Sequence, residues 1–182
     1  MPPTIASLLA DRPLGLRLLT SEGPAGDTAR EVRWVHTTEL NDPAPFLEGG
    51  ELLLTTGLRL GDPDFDLEAF LSGLVRAGVA GLGFGVGLNN ATVPESFVTA
   101  AEAHGLPVLE VPKATPFIAI AKSVSKALAA EEYRAITEGY RTQQELVKSA
   151  LAHERKNPAT VTSHLMQAQM PALGPPICLG CR

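Results

Sequence analysis

The sequence VRWVHTTELNDPAPFLEGGELLLTTG, residues 32–57, predicts two strands that are separated by a proline-rich turn. The first apolar run, residues 32–35, leads into the polar residues 36–39, and the run 52–54 leads into Thr55, Thr56 and Gly57. In an open α/β sheet, small molecules bind beyond the carboxyl ends of parallel strands. We therefore interpret the two polar strand ends as two sides of one ligand pocket.

The chain on either side of this stretch repeats helix and strand patterns. Helices are predicted between Thr4 and Pro13, over residues 65–77, and from Pro94 to His104. Apolar runs of strand length lie at residues 14–19, 32–35, 52–54, 79–86 and 106–111. Alternating helices and strands predict an α/β domain over residues 1–115, with a mostly parallel sheet and flanking helices.

A long helical pattern without proline follows, from Phe117 to about Glu154. We predict that residues 116–157 form a connecting or dimerisation helix, about 60 Å long. Its apolar stripe is imperfect, because Gln143 interrupts the seam. The candidate dimerisation residues on this stripe are Tyr133, Ile136, Tyr140 and Val147. Residues 158–182 show no periodic pattern and are predicted to form an irregular or truncated tail.

Bulk composition narrows the class of protein. The 182 residues have a net charge of −5, a pI of about 5.4 and a mean hydropathy of +0.09. An acidic chain argues against broad nucleic-acid binding, which needs clustered lysine and arginine. No secretory signal is recognisable, and no run approaches the roughly 18 apolar residues of a membrane span. We therefore expect a cytoplasmic protein without membrane contact.

The candidate ligand-binding residues lie at three predicted strand ends. Their hydroxyl, imidazole and carboxylate groups suit the hydrogen-bonding edges of a small polar metabolite. They are His36, Thr37, Glu39, Thr55, Thr56, Gly57 and Glu110. An alternative stays open, because polar residues at strand ends also cap the following turn. Glu110 could equally be a solvated loop residue.

Other motifs fail their chemical requirements. The glycines at 81, 83, 85 and 87 miss the spacing of a dinucleotide fingerprint and lie within a strand, so we interpret them as close-packing positions. Cys178 and Cys181 form only half of a zinc site. We find no nucleophile elbow, phosphate loop or metalloprotease motif. No cofactor, metal or catalytic residue is therefore predicted.

Several segments together resemble a known family. They are TELNDP at 38–43, GGELLLTTG at 49–57, AHGLPVLEVP at 103–112, and Pro116-Phe117. Over about residues 4–130 the chain resembles the N-terminal sensor domain of the purine-catabolism regulator (PucR) family of bacterial transcription regulators. The resemblance implies a metabolite-sensing module. Nothing in the sequence matches the family's C-terminal helix-turn-helix or its middle domain, so we expect no direct DNA binding by this chain.

These patterns lead to one main functional hypothesis. A metabolite, with purine-related compounds as candidates, binds near His36, Glu39 and residues 55–57. Binding favours one arrangement of the long helix and so biases a homodimer. Two alternatives remain: an interaction or dimerisation module without a ligand, and an enzyme that uses His36 and Glu39 as an acid–base pair.

Overall fold

The structure, a computed structural model, describes residues 2–21 and 23–156. Within them, side chains are not described at positions 23, 139–142, 146–147 and 149–156. The chain divides into two units, Met1–Tyr133 and Arg134–Arg182. The predicted irregular tail, with Cys178 and Cys181, lies outside the described residues.

The first unit is built on a five-stranded sheet of order β1-β5-β4-β3-β2. The strands are β1 (Arg17–Leu18), β2 (Trp34–Thr37), β3 (Glu51–Thr55), β4 (Gly81–Gly85) and β5 (Val108–Val111). The helices are α1 (Ile5–Ala10), α2 (Leu67–Ala77), α3 (Glu95–Ala103) and α4 (Phe117–Lys156). Strands β2 to β5 pair in parallel, and β1 pairs antiparallel with β5. This confirms the predicted α/β fold with a mostly parallel sheet and a long C-terminal helix.

Local capping explains where the helices begin and end. Thr4 and Ser7 form a capping box at the start of α1, each side chain bonding the other residue's backbone N–H. Asp66 accepts a hydrogen bond from the N–H of Ala69, so α2 begins just after it and not at residue 65 as predicted. Gly78, with φ of +74°, ends α2 in the left-handed conformation that glycine favours.

The prediction of a strand over residues 14–19 was wrong at its start. Arg12–Leu14 is a 3₁₀ turn closed by the N–H of Gly15, and only Arg17–Leu18 pairs with β5. Leu14 and Leu16 are nevertheless buried. Their apolar character reflects core packing outside the sheet ladder, which a hydropathy pattern cannot distinguish from strand pairing.

Alternating side chains give the sheet one core on each face. On one face α1 and the start of α4 cover Leu52, Leu54, Leu109 and Val111. On the other face α2 and α3 cover a second core, whose strand residues are Leu53, Leu82, Phe84 and Val108.

The alternating glycines of β4 face the core that includes α1 and α4. A Cβ added at Gly81 would lie 3.1 Å from Ile5 Cδ1, and one at Gly85 would lie 2.8 Å from Phe117 Cζ. These glycines therefore make room for the packed helices, as predicted, and form no phosphate-binding loop.

The start of α4 belongs to the first unit. Ile120 and Val124 are buried in the same core as α1. The predicted domain boundary at 115/116 thus marks the start of α4, whereas the packed unit extends to Tyr133. Among the described residues, no helix is both long and apolar enough to cross a membrane.

Candidate functional site

Polar side chains from three strand ends meet at the carboxyl edge of the parallel sheet. Glu39 follows β2, Thr55 ends β3, and the loop after β4 donates hydrogen bonds to Thr56 and Gly57. We call the hydrogen-bonded group the Glu39 cluster. Its members are Glu39, Thr55, Thr56, Gly57, Asn89 and Asn90.

The Glu39 carboxylate is the centre of the cluster and accepts four hydrogen bonds. Its Oε1 accepts from the N–H of Thr56 at 2.6 Å and from the Thr56 hydroxyl at 2.9 Å. Its Oε2 accepts from the hydroxyl of Thr55 at 2.9 Å and from the N–H of Leu58 at 3.3 Å. This carboxylate links the end of β2 firmly to the end of β3, because hydrogen bonds to a charged acceptor are stronger than bonds between neutral groups.

Two asparagines connect the loop after β4 to the same group. Asn89 Nδ2 donates to the Thr56 hydroxyl at 2.6 Å, and Asn90 Nδ2 donates to the carbonyls of Thr56 and Gly57 at 3.2 and 3.3 Å. These asparagines were not among the predicted site residues. They follow a predicted strand, so the rule that selected Thr55 and Thr56 would have found them.

Gly57 is required by geometry at this position. Its φ is +67°, and a Cβ there would overlap the ring of Phe84 and lie 3.0 Å from Asn90 Nδ2. Any side chain would therefore push apart the loops that the Glu39 cluster joins.

A small cavity lies beside the cluster. Its lining combines one carboxylate, one guanidinium and three phenylalanine rings: Glu39, Leu40, Thr55, Gly57, Arg59, Leu60, Phe65, Phe70 and Phe97. The cavity volume is about 20 Å³. A single water needs roughly 10–15 Å³ and metabolite sites typically have about 300 Å³ or more, so a metabolite does not fit in this closed form.

A larger opening lies along the edge strand β2, and we call it the β2 groove. Its volume is about 470 Å³, within the range of metabolite sites. It is lined by Arg33, Trp34, His36, Phe46, Glu48, Gly49 and Glu51. Trp34 is 60% exposed and Phe46 is 67% exposed.

The structure brings four predicted ligand residues together and separates three. Glu39, Thr55, Thr56 and Gly57 all belong to the Glu39 cluster. The other three lie elsewhere: His36, Thr37 and Glu110.

Strand register explains that separation. His36 pairs with Leu53 and lines the β2 groove, whereas Thr37 pairs with Leu54 and so faces the opposite side of the sheet. Glu110 shares a register row with Thr55, but Phe84 lies between them.

Glu110 forms an ion pair on the other side of the sheet from the Glu39 cluster. Its Oε2 accepts a hydrogen bond from Arg17 Nη2 at 3.0 Å, across the antiparallel edge of the sheet. Glu110 is thus held on the β1 side of the molecule, away from the third side of the predicted pocket.

A further depression lies at the amino edge of the sheet and contains no predicted site residue. Its volume is about 700 Å³, and its wall includes Arg30 and His104. Arg30 Nη2 already donates to the carbonyls of Pro24 and Gly105, so this guanidinium secures two loops. Over the part of the chain that the structure describes, no three metal-ligating side chains come together.

Comparison with known proteins defines the class. The model of the Purine catabolism regulatory protein-like family (PucR) matches residues 8–128, so the chain belongs to this family. This confirms the resemblance drawn from the strand-end motifs.

Two individual relatives are a transcriptional activator and a regulatory protein. The "Transcriptional activator PmfR" of Paenarthrobacter nicotinovorans is 32% identical over 126 residues, which cover 69% of this chain and 26% of that protein. The "Purine catabolism regulatory protein" of Bacillus subtilis (strain 168) is 31% identical over 91 residues, covering 50% of this chain and 17% of that protein. The matched segment thus spans about a quarter or less of either relative.

Proposed function

We propose that the Met1–Tyr133 unit is the metabolite-sensing domain of a PucR-type transcription regulator. Family membership and the two regulator relatives support a regulatory role. The observation that carries the sensing role is the Glu39 cluster. One carboxylate joins the ends of β2 and β3, and Thr56 and Gly57 extend that link to the loop after β4.

Such a junction makes three loops respond together. A ligand that shifts the end of β2 changes the position of Glu39, and the bonds to Thr55 and Thr56 transmit the change to β3. A ligand shifts an equilibrium only by its differential affinity for two states. In this proposal, the ligand-free state has the small cavity of about 20 Å³. The ligand-bound state has either an enlarged cavity or an occupied β2 groove.

The ligand that we favour is a nitrogen-rich catabolite, with purines and ureides as first candidates. One relative is named for purine catabolism, and the exposed carboxylate of Glu48 in the β2 groove suits a ligand that carries hydrogen-bond donors.

The enzyme alternative fits the geometry less well. An acid–base pair needs a carboxylate free to exchange a proton with a substrate. Glu39 instead accepts four internal hydrogen bonds, and it lines a different cavity from His36.

A second candidate function is dimerisation through α4. Ile136 is 53% exposed and Tyr133 is 73% exposed, so two large side chains three residues apart lie at the surface of α4. The side chains of Tyr140 and Val147 lie outside the described residues. An Ile136→Glu variant that lowers the molar mass seen by light scattering, beside an unchanged Lys148→Glu control, would support this function. An unchanged mass would count against it.

The sensing function is tested by a thermal-shift screen of the full chain against purines, ureides and aliphatic amines. A ligand at 100 times its Kd stabilises by about 2.7 kcal/mol, which raises the melting temperature by several degrees. A specific hit that Glu39→Gln weakens supports the proposal. A flat screen, with dimerisation through α4 intact, would shift the function to interaction alone.

A further inference from the structure

The only tryptophan of the chain lies on an open groove. Trp34 is 60% exposed, although tryptophan is on average a highly buried residue. Phe46, at 67%, is even more exposed and lines the same groove. Two exposed rings on one concave surface indicate a recognition site, since single exposed rings are scattered on ordinary surfaces.

The fold fixes how these rings are presented. Trp34 and His36 lie two residues apart in β2, so both point to one face of the sheet. Phe46 comes from the 3₁₀ turn Ala44–Phe46, which lies between β2 and β3 in the chain. Because β2 is the edge strand of the sheet, no further strand of the described residues covers the groove.

Charged side chains complete the lining. Arg33 and Glu48 both line the groove and are exposed, which offers donors and an acceptor beside the rings. The stem of Arg33 packs on Gly50, where an added Cβ would lie 2.9 Å from Arg33 Cδ. The carboxylate of Glu51 differs, because it already accepts hydrogen bonds from the N–H groups of Glu48 and Gly49 and so shapes the loop.

We propose that the β2 groove binds the planar ring of a nitrogen heterocycle, in contact with Trp34 and Phe46. His36, Arg33 and Glu48 hydrogen-bond the edge of the ring, where donors and acceptors alternate. Aromatic side chains favour a flat π-system over an aliphatic chain of similar size. The inference rests on the proposed sensing function and gives it a site and a ligand class.

The groove is close enough to the Glu39 cluster to influence it. His36 precedes Glu39 by three residues, which is about 10 Å along an extended chain. A ring held on Trp34 and His36 therefore acts on the strand that leads to Glu39, without entering the small cavity.

Tryptophan fluorescence tests the site directly, because Trp34 is the sole source of that signal. The full chain is titrated with adenine and xanthine as planar probes, and with allantoin and γ-aminobutyrate as non-planar probes. A saturable change with a planar probe, and none with the non-planar ones, is expected. Phe46→Ala should weaken binding about tenfold, the upper range of an aromatic pair. Leu88→Ala, equally exposed but outside the groove, should leave binding unchanged.

The outcomes distinguish a failure of the groove assignment from a failure of the sensing function. A compound could raise the melting temperature without changing Trp34 fluorescence, and bind Phe46→Ala as tightly as the parent protein. The sensing function would then stand, and the groove assignment would be overturned. If no compound of either class acts in either assay, the sensing function itself fails. If fluorescence instead changes with protein concentration, and Phe46→Ala abolishes a dimer, a second copy of the chain fills the groove and the proposal is wrong.

Discussion

The Glu39 cluster and the β2 groove both adjoin strand β2. They differ in whether their polar side chains are occupied by hydrogen bonds within the protein. In the cluster, Glu39 and Asn90 both hydrogen-bond Thr56, and these contacts join the loops that follow β2, β3 and β4. In the groove, the rings of Trp34 and Phe46 are largely exposed. A set of side chains that satisfies itself holds loops in place, whereas a set that remains open can recognise a ligand.

Position in the sheet accounts for this difference. Residues 55–57 lie at the end of the interior strand β3, so their polar groups are at least partly buried and need partners. Residues 34–36 belong to the edge strand, where solvent satisfies polar groups without any protein partner. We therefore expect substitutions in the cluster to reduce stability, and substitutions in the groove to reduce ligand binding.

The largest loss of stability is expected for Gly57→Ala. A left-handed φ costs a non-glycine residue about 1–2 kcal/mol, and overlap with the Phe84 ring adds about 1–3 kcal/mol. Chemical denaturation measures the sum. Gly61→Ala is the matched control, because nothing lies within 4 Å of its added Cβ, and it should be neutral or slightly stabilising. Equal effects of the two substitutions would show that the Phe84 contact is unimportant.

Glu39→Gln is expected to have the next largest effect. It keeps the shape of the side chain but removes the charge that accepts hydrogen bonds from Thr55 and Thr56, at a cost of about 1.5–3 kcal/mol. The melting temperature should fall by several degrees. Glu48→Gln, an exposed groove residue, should stay within about 0.5 kcal/mol of the parent. A Glu39→Gln protein with the melting temperature of the parent would contradict the role of this carboxylate in joining the loops.

Asn90→Ala should cost less, about 1–2 kcal/mol, because neutral hydrogen bonds to the carbonyls of Thr56 and Gly57 are lost. A double-mutant cycle with Glu39→Gln tests whether the two residues act as one unit. We expect a coupling energy of about 0.5 kcal/mol or more, since both contact Thr56. Additive losses would mean that the loops after β2 and β4 are held independently.

The smallest effect on stability is expected for Trp34→Ala and Phe46→Ala. Each side chain is mostly exposed, so each substitution should change the free energy of unfolding by about 1 kcal/mol or less. The same denaturation assay measures it. A loss as large as that of Glu39→Gln would show that the groove is part of the core.

Much of the fold could be predicted from local patterns. The helices predicted after Thr4 and over residues 65–77 are present, and the proline-free run after Phe117 was correctly predicted to be one helix. The alternating glycines were correctly assigned to packing against helices. The first strand was predicted too long, because Leu14 and Leu16 are buried without pairing.

The sequence by itself determined which residues lie at strand ends, because strand length, glycine and capping residues act within a few positions of one another. Only the tertiary structure decided that Glu39 meets Thr55 and Thr56 while His36 lines a separate groove. Strand order brings together loops that are distant in the sequence, and the period of two along β2 sends each side chain to one face or the other. Which face meets a cavity, and whether that cavity is closed, depends on packing between elements and not on any local pattern.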